Sequence, residues 1–181
     1  MSEDRRPITP AEFGEELTKF EHTAFRLELQ PSYLVPEEVE LLAAFLCGEP
    51  VPPTTVYKAW YDQISEHVRQ GKRIERVRIQ DDPPTDYQRF ERWLDKWNRQ
   101  AGEIMRYLPR QQAHDIGLLP RAGSDDWWLL DSSRLIKMHF DGSGRPEAYE
   151  LIEDPAVVIQ ACKWRDLAVH HSVLVGQDAP A

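Results

Sequence analysis

The stretch that most constrains the fold lies between residues 125 and 171. Asp125-Asp126-Trp127-Trp128-Leu129-Leu130-Asp131 is followed by Arg134-Leu135-Ile136-Lys137-Met138-His139-Phe140-Asp141, then by Ala148-Tyr149-Glu150-Leu151-Ile152-Glu153 and Asp154-Pro155. In the second segment Ile136, Met138 and Phe140 share one face, with Lys137, His139 and Asp141 on the other. Such period-2 alternation marks a half-buried strand. In the first segment Trp128 and Leu130 take one face, Trp127 and Leu129 the opposite one. With both faces apolar, this strand is expected at the centre of a sheet, covered on both sides, with Trp128 buried. Asp131-Ser132-Ser133-Arg134 and Asp141-Gly142-Ser143-Gly144 are polar links of hairpin type. Asp154 can cap a helix and Pro155 suits its first turn. Val157, Ala161, Trp164 and Ala168 then recur at helical spacing. The reading is a three-strand meander feeding a C-terminal helix.

The rest of the chain supplies layers to cover that meander. Residues 1–8 read as a loose segment. Thr9-Pro10-Ala11-Glu12 is a capping box with proline at the first helical position. Phe25, Leu27 and Leu29 alternate in a strand over residues 24–29. A short helix over residues 37–47 carries Val39, Leu42, Ala43 and Leu46, and Gly48 ends it. Thr54 or Thr55 opens the next helix, with Val56, Trp60, Ile64 and Val68 inward and Gly71 as its stop. Residues 73–79 alternate again, Val77 and Ile79 one way, Arg76 and Arg78 the other. Asp81-Asp82-Pro83-Pro84 breaks the chain. Thr85-Asp86-Tyr87-Gln88 is a second capping box, and the longest helix is expected from there to about Leu108, on a stripe from Tyr87, Phe90 and Leu94 to Ala101, Ile104 and Leu108. Residues 109–124 form a connector with one helical turn near 111–116. The predicted architecture is α/β with α+β character: a mixed sheet of about five strands with a C-terminal antiparallel meander, flanked by about five helices. Residues 9–172 are expected to form a single globular domain, with a flexible tail over 173–181.

Charge narrows the function classes. The chain has 181 residues and a formal net charge of -9. That argues against direct nucleic-acid or anionic-membrane binding, since both need a basic surface. No apolar run is long enough to span a bilayer. Met1-Ser2-Glu3-Asp4 has no signal-peptide form, so the expected location is the cytoplasm. Cys47 and Cys162 sit in helical patterns without metal-type spacing and are expected as buried free thiols. Neither a metal nor a cofactor is expected.

Candidate chemistry is sparse. There is no phosphate-binding glycine loop and no Gly-x-Ser-x-Gly elbow, and no residue is assigned a catalytic role. Lys137, His139 and Asp141 share a strand face at roughly 7 Å spacing. Such a set can hold a phosphate or move a proton, and it equally fits the solvent face of an amphipathic strand. Arg76 and Arg78 form a similar pair. If their strand joins the meander on the same face, Arg76, Arg78, Lys137 and His139 make an anion pocket. The alternative is ion pairing with Glu28, Glu75 or Glu150. Trp127 and Trp128 could stack a ligand, or serve as core. His170 and His171 suit a helix C-terminus. Asp81, Asp82, Asp86, Glu91 and Asp95 are expected as an exposed acidic surface for a basic partner.

Several short motifs belong together: Phe25-Arg26-Leu27-Glu28, Arg76-Val77-Arg78, Pro84 with Tyr87-Gln88-Arg89-Phe90-Glu91, Ala101-Gly102-Glu103-Ile104, Asp126-Trp127-Trp128-Leu129-Leu130-Asp131, Met138-His139-Phe140-Asp141, and Asp154-Pro155 with Trp164-Arg165-Asp166-Leu167-Ala168. In this set the chain resembles an actinobacterial family of domains of unknown function, commonly encoded beside helix-turn-helix regulators. The family pattern usually reads Phe where this chain has Trp127. The resemblance implies a helix-turn-helix transcriptional regulator as partner and carries no agreed activity. The meander and last helix also resemble half of a phospholipase D-type domain. The His-x-Lys signature of the active enzymes is missing, because Lys137-Met138-His139 runs in the opposite order. The expected function is therefore a non-catalytic cytoplasmic accessory or regulatory protein that binds such a regulator or a small anionic ligand. The competing reading is an enzyme acting on a phosphate-bearing substrate through Arg76, Arg78, Lys137 and His139.

Overall fold

The computed structural model describes residues 4–176. Its first half runs β1 (Arg5–Ile8), α1 (Pro10–Lys19), β2 (Thr23–Glu28), a 3-10 turn (Pro36–Glu38), α2 (Val39–Leu46), α3 (Lys58–Arg69), β3 (Arg73–Gln80) and α4 (Asp86–Ala101). It continues with β4 (Ile104–Pro109), α5 (Arg110–Asp115), β5 (Asp126–Leu130), β6 (Arg134–Phe140), β7 (Pro146–Ile152), α6 (Pro155–His171) and β8 (Val173–Leu174). The strands form one sheet in the order β1-β7-β6-β5-β2-β3-β4-β8. β2, β3 and β4 are parallel, whereas β5, β6 and β7 form an antiparallel meander docked on β2. Helical crossovers give parallel neighbours and tight turns give antiparallel ones, so the mixed sheet follows from the order of elements.

Each face has its own core. On one, Phe25, Leu27, Val77, Ile79, Trp127 and Leu129 pack beneath α5 and α6. On the other, Ala24, Ile74, Trp128, Leu130 and Ile136 pack against α1 and α3, and a third cluster joins Tyr33 and Leu41 to Tyr87, Phe90 and Leu94 of α4. All five residues of β5 are buried, as a central strand apolar on both faces must be. Thr9 and Thr85 both close the expected capping boxes, and Asp154 caps α6. At the β5–β6 turn Asp131 takes φ 52. Its carboxylate accepts from the backbone N–H groups of Glu21, His22 and Thr23 at 2.8, 2.7 and 3.0 Å. This fastens the end of α1 to the meander.

Among the described residues the sheet has eight strands rather than about five, and six helices border it. The long helix stops at Ala101, where Gly102 takes φ +106 in a left-handed cap. Ile104 and Leu108 continue the apolar phase of that helix and yet lie in β4. A four-residue spacing keeps two side chains on one face of a helix and also on one face of a strand, so the stripe could not tell them apart. A Cβ at Gly102 would sit 2.9 Å from Val68 Cγ2. Gly102→Ala is therefore expected to lower the unfolding free energy by about 1–2 kcal/mol in a urea titration.

Residues Arg5–Ile8, expected to be loose, form β1 and pair with β7. Val173 and Leu174, expected in the tail, form β8 and pair with β4. Both add to a sheet edge through backbone hydrogen bonds, which need no apolar pattern of their own. The remainder of those two segments, residues 1–3 and 177–181, lies outside the described residues. α3 begins at Lys58 without a side-chain cap, rather than from Thr54 or Thr55. Val39, Leu46 and Val68, read as inward, are exposed because α2 and α3 are covered on one side only, by α4 and the sheet, and Val56, also read as inward, is exposed in the turn before α3. Cys47 follows the last turn of α2 and is exposed; Cys162 is half-buried. Among the described residues no helix is long and apolar enough to cross a membrane.

Candidate functional site

β2 and β3 lie side by side in the middle of the sheet, with Arg26 opposite Arg76 and Glu28 opposite Arg78. Strand alternation sends Phe25, Leu27, Val77 and Ile79 to one core and so sends all four charged side chains to the other face. α1, α3 and α4 roof that face, which forces the charges out of water. Buried ions persist only when paired and hydrogen-bonded, and here each finds partners. Glu28 receives Arg26 at 3.0 Å, Arg76 at 2.7 Å and Arg78 at 2.5 Å. Arg76 also reaches Glu103 at 2.8 Å. Arg78 reaches Asp95 at 2.5 Å and lies 3.4 Å from Glu91. Arg26 donates to Asp126 at 2.8 Å, and Asp126 also accepts from the Leu29 N–H at 2.7 Å and the Tyr33 hydroxyl at 2.6 Å.

Arg26, Glu28, Arg76, Arg78 and Glu91 of this network form the floor of a cavity of about 300 Å³. Its walls are largely aromatic: Phe13 from α1, Tyr33 from the connector after β2, Tyr57, Trp60 and Tyr61 from the start of α3, and Trp128 from β5. Met138 and Phe140 of β6 close one side. Glu38 lines the wall and accepts from the hydroxyls of Tyr57 and Tyr87. The Arg26 guanidinium lies 5.6 Å from the Trp128 ring centre and 5.8 Å from that of Tyr33.

Burial and charge set the protonation pattern. Burial alone would raise the Glu28 carboxyl, yet Arg26, Arg76 and Arg78 together hold it well below the usual range. Burial pushes Glu91 up to about 8 against the pull of Arg78, with Glu28 and Asp95 adding repulsion. Burial also raises Glu38, Asp95, Glu103 and Asp126. For Glu91 the folded state keeps a proton that the unfolded chain has released, so stability is fullest near the ordinary carboxylate range and declines as pH climbs toward about 8. Glu28 acts oppositely, its contribution vanishing only in strong acid. Glu91→Gln, which imitates the protonated form, is expected to flatten the decline between about pH 5 and about pH 8 by roughly 1–3 kcal/mol, read by urea unfolding across that window.

Of the four residues expected to converge on an anion, the structure brings together only Arg76 and Arg78. Lys137 and His139 lie on the opposite face of the sheet, because Ile136 and Met138 take the cavity side with Trp128. His139 Nδ1 sits 3.0 Å from Asp125 Oδ2, and Lys137 stands opposite Glu150. The ion-pairing alternative holds at Glu28, while Glu75 instead takes Arg73 and Arg106, and Glu150 faces Arg5 at 3.8 Å. The acidic surface is also corrected. Asp82 and Asp86 are exposed and Asp81 pairs with Arg110 at 2.5 Å, but Glu91 and Asp95 are 5% and 2% exposed. Each follows an inward apolar residue on α4, Phe90 or Leu94, and so points at Arg78 rather than at water. Sequence reasoning missed the cavity's aromatic wall and the roles of Arg26, Glu38, Glu103 and Asp126. The available signal was Arg26 and Glu28 on one side of a strand whose other side was wholly apolar. With that strand central and its charged face roofed by α1, α3 and α4, the charges are buried.

The sequence matches the family described as "Domain of unknown function (DUF6879)" over residues 11–177. The chain belongs to this family. No curated protein matches it. Among solved structures, this DUF6879 chain is similar to Nuc from Salmonella typhimurium, a phospholipase D family member, at TM-score 0.54 and 8% identity over 94% of this chain and 97% of that one. NucT from Helicobacter pylori gives TM-score 0.52 and 8% identity, covering 94% and 98%. TrmBL2, an archaeal chromatin protein whose structure shows a novel mode of DNA binding, gives TM-score 0.51 and 11% identity over 96% of this chain. The chain spans about half, 54%, of the length of that protein. At such identities the likeness is one of fold. It places the DUF6879 domain in the same architecture as these three proteins and leaves its chemistry to its own side chains.

Proposed function

We propose that this DUF6879 domain is a non-catalytic ligand-binding module, with the aromatic cavity over β2, β3 and β5 as its site. The observation that carries the reading is a cavity of about 300 Å³ with aromatic walls and a fixed charged floor. Small-molecule sites have this form: an apolar pocket with a few converging polar groups. No His, Lys, Cys, Ser or Thr is among its lining residues, and its three carboxyls are engaged by arginines or by tyrosine hydroxyls. The enzyme reading required Arg76, Arg78, Lys137 and His139 in one pocket, and the sheet separates them. The net charge of -9 gives no support for carrying DNA contact over from the archaeal relative. The proposal keeps a cytoplasmic helix-turn-helix regulator as the recipient of the signal, with Asp82 and Asp86 as remaining exposed acidic contacts.

The test is a thermal-shift screen with small aromatic compounds. Ligands that enter the cavity raise Tm, because they bind only the folded state. Phe140→Trp, which fills one wall, removes that rise. Absence of any shift across the panel, or a shift unchanged in the filled variant, overturns the reading.

A further inference from the structure

The buried network around the cavity carries more acid than base. Arg26, Arg76 and Arg78 are its guanidinium groups; Glu28 and Glu91 line the cavity beside them, and Asp95, Glu103 and Asp126 hold them from behind the lining. Glu38 adds a sixth carboxyl, with tyrosine hydroxyls as its hydrogen-bond donors. Every guanidinium is already flanked by carboxylates, so an incoming anion would meet donors that are engaged. Two donors lack partners, Arg26 Nε and Trp128 Nε1, but both atoms are sealed from water-sized contact and so do not face the cavity space.

We infer that the cavity takes a cationic organic ligand, of the alkyl- or aryl-ammonium class, held by the half-buried rings of Tyr57, Trp60 and Tyr61 and by the carboxyl of Glu91. This rests on the proposed role of the cavity as a ligand site and names the charge of its occupant. Aromatic cages bind quaternary ammonium groups through the negative faces of their rings. Glu91 lines the cavity and, of the carboxyls around Arg78, has the longest approach to it, 3.4 Å against 2.5 Å for Glu28 and Asp95. It lines the cavity together with Arg76 of β3, Tyr33, and Tyr87 of its own helix. With its carboxyl raised to about 8 by burial, Glu91 holds a proton near neutral pH. A bound cation takes that proton's place: the O–H bond breaks, the proton leaves to solvent, and the ammonium faces the carboxylate.

The experiment uses three probes of similar size on the intact chain: benzyltrimethylammonium, whose charge does not depend on pH, neutral 2-phenylethanol, and anionic phenylacetate. Binding is read by quenching of tryptophan fluorescence. The ammonium is expected to bind best, with an affinity that rises about tenfold between about pH 7 and about pH 9 as Glu91 ionises. Glu91→Gln should remove the pH dependence while 2-phenylethanol still binds. Equal or tighter binding of the neutral or anionic probe overturns the cationic reading and leaves the cavity as a site. Cation binding that keeps its pH dependence in Glu91→Gln also overturns it. Failure of all three probes removes the ligand-site reading itself. The pH series on the unaltered chain decides the matter even if the variant folds poorly.

Discussion

Arg78→Met is expected to lower the unfolding free energy by about 3–5 kcal/mol, the usual cost of leaving a buried charge without its partner. The guanidinium holds Glu28, Glu91 and Asp95 together, all four side chains buried. Methionine fills similar volume, so the loss is electrostatic rather than a cavity. Glu28 keeps Arg26 and Arg76, whereas Glu91 and Asp95 keep no guanidinium. Both must then protonate to stay buried, and their folded-state pKa values rise further. Raising the pH opposes that protonation, so the loss should be larger at about pH 8 than at about pH 5. Urea unfolding at the two pH values checks this. A loss below about 1 kcal/mol would show that water reaches the network and screens it.

Trp127→Ala should cost a similar amount by a different route, about 3–5 kcal/mol. Trp127 is 1% exposed, its ring 5.5 Å from that of Phe25, in the core beneath α6. Removing it opens a void between β5 and that helix, on the face of the sheet away from the ligand cavity. Ammonium binding should therefore survive in the fraction that stays folded. A Trp127→Ala chain of near-native stability would show that α6 can settle onto the sheet and fill the gap.

These two residues also show where sequence reading succeeds. Trp127 announced its burial because apolar residues on both sides of a strand have one physical outcome, a central position. Arg78 was visible as the charged side of an alternating strand, but alternation is the same whether that side meets water or a roof of helices. Which applies depends on where α1, α3 and α4 land, a long-range matter that no local spacing records. The acidic residues of α4 carry the same lesson. Glu91 and Asp95 look like solvated charges until β3 places Arg78 beneath them. The capping boxes at Thr9 and Thr85 were legible because they are complete within four residues. β1 and β8 were not, because an edge strand borrows its order from its neighbour's backbone.

The clamp at Asp131 bears on how the chain is made. Its carboxylate grips the backbone at Glu21, His22 and Thr23, more than a hundred positions earlier in sequence. β2 waits for β5 on one flank, and β1 waits for β7. A nascent chain that has emerged only as far as α4 can pair β2 with β3, yet it leaves the apolar rims of both strands without the meander. Contacts separated by so much sequence close slowly. β1 and β2 are therefore among the last elements to be locked, and the growing chain carries exposed Phe25 and Leu27 until Trp127 arrives to cover them.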